Sequence, residues 1–506
     1  MSVRSSGVLM PIFSLPSPYG VGTLGRQARE FADFLARSGQ SHWQILPIGP
    51  TGYGDSPYQS FSSRAGNPYL IDLDELEQQG LLEREEYASL PWGDDPERVD
   101  YQALYRLRLP VLRRACDRLL SRRPAAFDRF CLLHQAWLDD YALFMALKEQ
   151  YGGAPWLEWP EDIRLRRPRA MARAKKALED DIRFWQGVQY LFFCQWQEFK
   201  SYVNGKGISI VGDLPIYVAG DSADVWAAPE QFLLDDQGRP TLVAGVPPDD
   251  YSADGQLWGN PLFRWDRMKQ DGYAWWLDRV AFQFEIYDVL RLDHFRGFES
   301  YYAIPYGEKT ARNGQWLSGP GMDFFRALRR SLGPRPIIAE DLGFLTPEVY
   351  QLLADTGFPG MKVLEFGFGD PGEDSEYLPH NYPVHSVAYP GTHDNDTILG
   401  WLDSLTPEQA KFARHYLRLS RREGLHWGVL RSLWASPAQL TVVQMQDLLG
   451  LDRRARMNTP STLGGNWQWR ALPEAMSAGL ARRLYRETAA YQRLPRPRGG
   501  TAKNEE

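Results

Sequence analysis

Short apolar runs recur along the chain, and most of them end in polar or turn-forming residues. Helical periodicity fills most of the gaps between them, as in GRQAREFADFLARSGQ and TPEVYQLLADTG. Because the runs are continuously apolar, each predicts a strand that is buried on both faces of a sheet. Strands that alternate with helices predict an α/β fold, a closed (β/α)8 TIM barrel. The eight runs occupy residues 7–13, 42–48, 208–215, 288–295, 336–343, 360–368, 385–395 and 440–450.

The uneven spacing of the runs predicts large insertions between barrel strands. We expect a discontinuous catalytic barrel over residues 1–70 and 200–495, and a mostly helical insertion subdomain over 71–199. Residues 218–265 are rich in Asp, Gly, Pro and Trp and show little periodicity, which favours a long substrate-cleft loop region within the barrel. Residues 496–506 have the composition of a disordered tail.

Acidic residues collect where the predicted strands end. Active sites of this fold lie at the carboxyl ends of the strands, so such a ring of carboxylates indicates catalysis. The six residues are Asp213, Asp293, Glu340, Glu365, Asp394 and Asp447.

The stretch VLRLDHFRG at 289–297 places two charged residues within an apolar strand. Arg291 and Asp293 are two residues apart and therefore share one face of the strand. They could form a structural ion pair, or a catalytic carboxylate beside the cation that positions it. The other acids at the predicted mouth favour the second interpretation.

Composition narrows the possible functions. Of 506 residues, 57 are basic and 64 acidic, and the net charge of −7 argues against a general polyanion binder such as a nucleic-acid-binding protein. The basic run at 163–181 predicts the solvated face of a helix. The apolar runs are too short to span a membrane, the N-terminus lacks a signal-peptide core, and the three cysteines lack metal-site spacing. These features predict a cytoplasmic protein.

Two further features are ambiguous. The 18 Trp and 25 Tyr residues could stack on sugars or fill a large aromatic core. Gly20, Gly22 and Gly25 match G-x-G-x-x-G, but prolines separate them from the preceding strand. A dinucleotide site requires the strand to run directly into the first glycine, so we expect these glycines to shape a turn.

Three of the acids suit cleavage of a glycosidic bond. A retaining mechanism needs an ionised nucleophile and a protonated acid on opposite sides of the bond. Arg291 would keep Asp293 ionised, whereas the apolar residues before Glu340 would raise its pKa. Asp394 follows His393, and both can hydrogen-bond sugar hydroxyls. A divalent-cation site built from the same acids is the alternative, but clustered His ligands are missing from the sequence.

Several segments resemble the amylomaltases, also called disproportionating enzymes, which are the 4-α-glucanotransferases of glycoside hydrolase family seventy-seven. The resemblance runs in order from about residue 7 to about residue 475. The segments are GPTGYGDSPYQSFSSRAGNPYLIDL, GDLPIYVAGDSADVWA, GVPPDDYSADGQLWGNPLF, RLDHFRGFE, AEDLG, PGMKVLEF, GTHDNDT and ARMNTPSTLGGNWQWR.

The resemblance implies Asp293 as nucleophile, Glu340 as acid/base and Asp394 as stabiliser of the transition state. It implies no cofactor, no metal and no calcium dependence. Tyr53 and Tyr101 match aromatic positions of a second glucan groove, whereas His294 and Glu365 are expected to be structural. The implied substrate contacts are Ser56, Asp213, Asp249, Tyr251, Trp258, Arg291, Asp341, Asp370, His393 and Asn466.

The cleft loop departs from the family pattern, because Asp250 and Tyr251 stand where relatives often have Tyr-Phe or Ala-Phe. This departure bears on acceptor preference and on the formation of cyclic glucans. The resemblance implies a retaining transferase acting on α-1,4-glucan oligosaccharides and polysaccharides, expected to be a monomer with a homo-oligomer as the alternative. An α-amylase-like hydrolase and a glycan-binding protein without catalysis are the competing hypotheses.

Overall fold

The computed structural model describes residues 4–52, 54–248, 252–370 and 374–495. Four residues discussed above, Tyr53, Asp249, Asp250 and Tyr251, lie outside the described residues, as does the predicted tail.

Eight strands form one parallel sheet in the order β10-β11-β12-β1-β2-β3-β6-β9. The sheet closes because the Ala339 N–H, at the end of β9, donates to the Pro359 carbonyl, just before β10, at 3.0 Å. The predicted barrel is therefore confirmed. The strands of the described chain are β1 Ser5–Leu9, β2 His42–Gln44, β3 Ser209–Leu214, β4 Leu242–Val246, β5 Gln256–Pro261, β6 Val289–Leu292, β7 Ser300–Pro305, β8 Gln315–Ser318, β9 Ile337–Ala339, β10 Gly360–Val363, β11 Ser386–Tyr389 and β12 Leu440–Gln444.

Helices surround the barrel, and helices α2 to α7 all fall between β2 and β3 in the order of the chain. The helices of the described chain are α1 Arg26–Arg37, α2 Leu73–Gln78, α3 Tyr101–Arg122, α4 Ala125–Gln150, α5 Glu161–Arg164, α6 Pro168–Ala177, α7 Glu179–Gly205, α8 Ala223–Ala227, α9 Trp265–Gln270, α10 Ala274–Ile286, α11 Gly321–Leu332, α12 Pro347–Thr356, α13 Ile398–Ser404, α14 Pro407–Tyr416, α15 Leu425–Ala435, α16 Met445–Leu449 and α17 Ala478–Ala490.

The barrel strands are shorter than the apolar runs that predict them. The run at 440–450 is a strand only to Gln444, and its second half forms α16, so Asp447 lies on a helix rather than at a strand end. Likewise β6 ends at Leu292, and His294 adopts the left-handed conformation with φ 49°. Both faces of each run are buried, and apolar patterning alone does not distinguish a buried strand from the buried turn or helix that follows it.

A second sheet was not predicted. Strands β5-β4-β7-β8 form a four-stranded antiparallel sheet beside the barrel mouth, and two of them lie within the region 218–265 predicted to be a loop. Gly245, Gly255 and Gly259 interrupt the apolar alternation there. Strand β4 also pairs with β7, about 60 residues away, which no local pattern indicates.

Many of the aromatic residues fill the core. Trp43, Trp185, Trp196, Trp226, Trp276 and Trp434 are fully buried, so much of the tryptophan content serves packing. In the part of the chain that the structure describes, no helix combines the length and the apolar character needed to cross a bilayer.

Candidate active site

A buried arginine joins two carboxylates at the carboxyl end of the barrel. Arg291 and Asp213 are register partners on the adjacent strands β6 and β3. Arg291 Nη1 donates to Asp213 Oδ1 and Oδ2 at 2.8 and 2.7 Å, and to Asp293 Oδ1 at 3.0 Å. The Asp213 side chain is fully buried, whereas 27% of the Asp293 side chain is exposed. Asp293 is thus the carboxylate of this pair that faces the cleft.

The Glu340 carboxyl group is held by backbone N–H groups, one of them from the residue that follows Asp293. The His294 N–H donates to Glu340 Oε2 at 2.6 Å, and the Leu342 N–H donates to Oε1 at 2.9 Å. The Phe295 N–H donates to the Glu340 carbonyl at 3.0 Å. These bonds place the Glu340 carboxyl beside the residue that follows Asp293.

The surroundings affect the pKa values of Glu340 and Asp293 differently. Burial raises the pKa of Glu340 above the ordinary range, and the negative charge of Asp293 raises it further. Burial also raises the pKa of Asp293, but there the charge of Arg291 and its hydrogen bond oppose the rise. The charge of Arg291 also opposes the rise in the pKa of Glu340, but of the two carboxyl groups it is Asp293 that Arg291 hydrogen-bonds, which favours Glu340 as the protonated one. Although burial alone would lower the pKa of Arg291, Asp213 and Asp293 raise it well above its usual value, and the guanidinium stays charged.

Asp394 lies in the turn after β11 with 45% of its side chain exposed. Asn458 Nδ2 donates to Asp394 Oδ1 at 2.6 Å, and Arg456 Nη2 donates to the Asp394 carbonyl at 2.6 Å. His393 Nε2 lies 3.4 Å from Asp394 Oδ2. Burial lowers the pKa of His393 despite the opposing charge of Asp394, so this contact joins a neutral ring to a carboxylate.

Aromatic rings line the same region. The Tyr58 hydroxyl donates to Asp213 Oδ2 at 2.8 Å, and its ring stacks on His393 with centroids 5.1 Å apart. Trp258 contacts the His294 ring edge to face at 4.9 Å. The structure therefore brings Trp258, Arg291, Asp213 and His393 together with the three acids.

The other predicted contacts are placed differently. Ser56 Oγ accepts the Tyr58 N–H at 3.2 Å, so Ser56 lies close to the site. Asp341 is buried, and its Oδ1 accepts the Met361 N–H of the next barrel strand. Asn466 bonds within its own loop to Thr459 and Thr462, and Asp370 is exposed at the end of the segment after β10. Tyr101 is buried, and its hydroxyl donates to the Trp467 carbonyl at 2.8 Å.

Sequence reasoning missed Tyr58, Asn458 and Arg456. Tyr58 is 155 residues from Asp213, and Asn458 is 64 residues from Asp394, so no periodicity connects them. All three fall within segments that resemble the glucanotransferases, which was the only available signal. In the described residues, no group of three or more His, Cys, Asp or Glu side chains has an arrangement that could hold a metal ion.

Comparison with known proteins assigns the family. The family model described as 4-alpha-glucanotransferase, of glycoside hydrolase family seventy-seven, matches residues 10–474. The chain is 47% identical to a 4-alpha-glucanotransferase of Clostridium butyricum, with 96% of this chain and 100% of the relative covered. It is 47% identical to that of Thermus thermophilus, with 97% and 99% covered. The structure of an amylomaltase from Streptococcus agalactiae in complex with acarbose superposes with a TM-score of 0.96 at 45% identity, over 97% of this chain and 100% of the other. The chain therefore belongs to glycoside hydrolase family seventy-seven, the family of the 4-alpha-glucanotransferases.

Proposed function

We propose that this enzyme is a retaining 4-α-glucanotransferase in which Asp293 is the nucleophile and Glu340 the acid/base. The observation that carries the proposal is the asymmetry of the two carboxyl groups. Arg291 hydrogen-bonds Asp293 at 3.0 Å, whereas Glu340 is buried and its burial raises the pKa of its carboxyl group, although two backbone N–H bonds oppose that rise. A retaining glycosidase mechanism needs one ionised and one protonated carboxyl group.

In the first step, the Asp293 carboxylate attacks the anomeric carbon of the donor glucan. Glu340 transfers its proton to the glycosidic oxygen, and the reducing-end fragment leaves with that oxygen. The products of this step are a glycosyl ester on Asp293 and an ionised Glu340.

In the second step, Glu340 removes the proton from the 4-hydroxyl of an acceptor glucan or glucose. The acceptor oxygen attacks the anomeric carbon, the ester bond breaks, and Asp293 is released as a carboxylate. Two inversions give net retention, and an acceptor on the same chain would give a cyclic glucan. Asp394 would stabilise the positive charge that develops at the anomeric centre, since its partly exposed carboxylate is held by Asn458 and its backbone carbonyl by Arg456.

Binding of the sugar ring would fall to the groups around these acids. Trp258 and Tyr58 offer aromatic faces, and Asp213, Arg291 and His393 offer polar groups beside the three carboxylates. The structure gives little support for a second glucan groove at Tyr53 and Tyr101, because Tyr101 is buried and Tyr53 lies outside the described residues. A cytoplasmic location and a monomeric state are proposed from the sequence alone.

The deciding experiment is incubation of the purified enzyme with maltotriose as the only sugar. Products longer than three glucose units, with free glucose rising beside them, are expected. Maltose and glucose without longer chains would mean that water is the acceptor and that the enzyme is a hydrolase.

A variant tests the nucleophile. Asp293→Asn removes the negative charge while preserving shape, and we expect loss of about 10³-fold or more in kcat. Glu30→Gln is the matched control, because Glu30 is an exposed carboxylate on α1, on the outside of the barrel. Near-normal transfer by Asp293→Asn would exclude Asp293 as the nucleophile.

A further inference from the structure

A buried carboxyl group, Glu365, lies beneath the turn that carries Asp394. Glu365 lies two residues after the end of β10 and is 8% exposed. Its N–H donates to the Pro390 carbonyl at 3.1 Å, which fastens this segment to the end of β11. Glu365 Oε1 is buried and, among the described residues, accepts no hydrogen bond. A buried carboxyl oxygen without a donor is costly unless the group is neutral.

Gly391 allows this carboxyl group to approach the turn. A Cβ placed on Gly391 would lie 3.0 Å from Glu365 Oε1 and 2.9 Å from the Cβ of Asn395. The Glu365 and Asn395 side chains therefore both pack on the bare Cα of Gly391. Burial raises the pKa of Glu365, and the neighbouring Asn395 side chain is among the groups that oppose this rise.

From Asn395 the contacts continue to Asp394. Asn395 Oδ1 accepts the N–H and the hydroxyl of Thr392, each at 2.9 Å. Thr392 Oγ1 accepts the Asp394 N–H at 3.3 Å, and the Asn395 N–H donates to the Thr392 carbonyl at 3.1 Å. The turn over residues 392–395, hereafter the Asp394 turn, is thus closed by the side chain that Glu365 contacts.

The charges facing Glu365 favour its neutral form. Burial raises the pKa of Glu365 well above the ordinary range, and the carboxylates of Asp447 and Asp396 raise it further. Arg456 opposes the rise from the neighbouring segment. Asp447 is 1% exposed, and burial raises its pKa to about 7. Burial and these two carboxylates thus favour the neutral carboxylic acid form of Glu365.

We propose that Glu365, as a neutral acid, is a positioning residue that fixes Asn395 and, through the Asp394 turn, aims Asp394 at the reacting sugar. The inference rests on the role of Asp394 given under Proposed function. Glu365 itself touches neither substrate nor reacting atoms.

The competing explanation is that Glu365 only stabilises the fold and does not position Asp394. A comparison with Asp447 distinguishes these two explanations. Asp447 belongs to the same buried cluster, but its Oδ1 accepts the Ile398 N–H at 2.7 Å, at the start of α13. Loss of Asp447 should therefore loosen α13, whereas loss of Glu365 should loosen the Asp394 turn.

The test compares Glu365→Gln, Glu365→Leu and Asp447→Asn in the full-length enzyme, with maltotriose as substrate and a temperature well below each variant's unfolding midpoint. Glu365→Gln keeps a neutral hydrogen-bonding group, and its kcat should stay within about twofold of wild type. Glu365→Leu should lose about tenfold or more in kcat with KM within about twofold, because misplacement of a group that acts in the transition state lowers kcat. Asp447→Asn should lower the unfolding midpoint and leave kcat within about twofold.

A double-mutant cycle adds a readout that does not depend on overall stability. If Glu365 acts through Asn395, Asn395→Ala should lose about as much kcat as Glu365→Leu, and the double variant should lose hardly more than either. Multiplicative losses would overturn the proposal. So would a Glu365→Leu enzyme with normal kcat, a Glu365→Gln enzyme as slow as Glu365→Leu, or an Asp447→Asn enzyme that loses equal kcat.

If Glu365→Leu does not fold, the comparison of Glu365→Gln with Asn395→Ala decides. Normal activity in the first and a tenfold loss of kcat in the second support the proposal, and any other pair of results overturns it. Failure of the proposed function would appear separately, as hydrolysis of maltotriose by the wild-type enzyme or as transfer by Asp293→Asn.

Discussion

Arg291 should control the ionisation of Asp293, and Arg291→Gln tests this directly. The guanidinium nitrogen lies 3.0 Å from Asp293 Oδ1, so Coulomb's law with an effective dielectric constant of about 20 gives roughly 5.5 kcal/mol. That value is an upper bound, because Arg291 also neutralises Asp213, at 2.7 Å. A neighbouring opposite charge typically lowers a carboxyl pKa by about 1–3 units. We therefore expect the pKa of Asp293 to rise by about that much in the variant.

The assay is the pH dependence of kcat/KM for maltotriose, whose acid limb reports the essential ionised group of the free enzyme. The acid limb should move to higher pH by about 1–3 units, and activity at neutral pH should fall by about 10- to 10³-fold. Because the charge of Arg291 also lowers the pKa of Glu340, the alkaline limb should move to higher pH as well.

A matched control is Arg279→Gln. Arg279 is a buried arginine that donates to the carbonyls of Pro215 and Ile216, just after β3. This substitution should reduce stability without moving the acid limb. A folded Arg291→Gln enzyme with the acid limb of wild type would refute the electrostatic role of Arg291.

Three further predictions concern Glu340, Tyr58 and Arg493. Because burial raises the pKa of Glu340, activity should decline at high pH as Glu340 loses its proton. A glycosyl fluoride donor needs no acid, so the first step with this donor should show no decline at high pH. The same decline with the fluoride donor would contradict Glu340 as the acid. Tyr58→Phe removes a 2.8 Å bond to Asp213 and should lower kcat/KM about tenfold, whereas an unchanged value would assign Tyr58 to packing. Arg493→Ala removes buried hydrogen bonds to backbone carbonyls, including that of Trp434. The free energy of unfolding, measured by urea titration, should fall by about 2–4 kcal/mol, while kcat at 25 °C should stay unchanged. A loss below about 0.5 kcal/mol would be inconsistent with this prediction.

The barrel could be predicted because its signal is local. The barrel strands are mostly apolar because both of their faces are buried, as in Ile337–Ala339 and Ser386–Tyr389, although β3 contains Asp213 and β6 contains Arg291. The ends of the strands were predicted too late, since Met445–Leu449 is as apolar and buried as the strand before it. The antiparallel sheet could not be predicted, because its pairing joins Leu242–Val246 to Ser300–Pro305 across a long separation.

The site divides in the same way. The contact between Arg291 and Asp293 followed from a spacing of two residues within one strand, and the structure has it at 3.0 Å. Tyr58 and Asn458 approach their carboxylate partners from loops that are distant in sequence. Their positions depend on loops that reach the barrel mouth from distant parts of the chain, and the pattern that predicts the barrel does not indicate which loop residue meets which carboxylate.

The pairing of β6 with β9 also holds the proposed nucleophile Asp293 and the proposed acid Glu340 in fixed relative positions. A retaining pair must hold its carboxyl groups about 5–5.5 Å apart, and long side chains alone would not maintain that spacing. Here the left-handed conformation of His294, at φ 49°, accompanies consecutive N–H bonds from His294 and Phe295 to the Glu340 carboxyl and carbonyl. A non-glycine residue in that region costs about 1 kcal/mol or more, and such strain persists only where the surrounding structure enforces it. These bonds come from the two residues that immediately follow Asp293, so they tie the backbone of the proposed nucleophile to Glu340. The relative placement of the two carboxyl groups is therefore set by the pairing of the adjacent barrel strands β6 and β9.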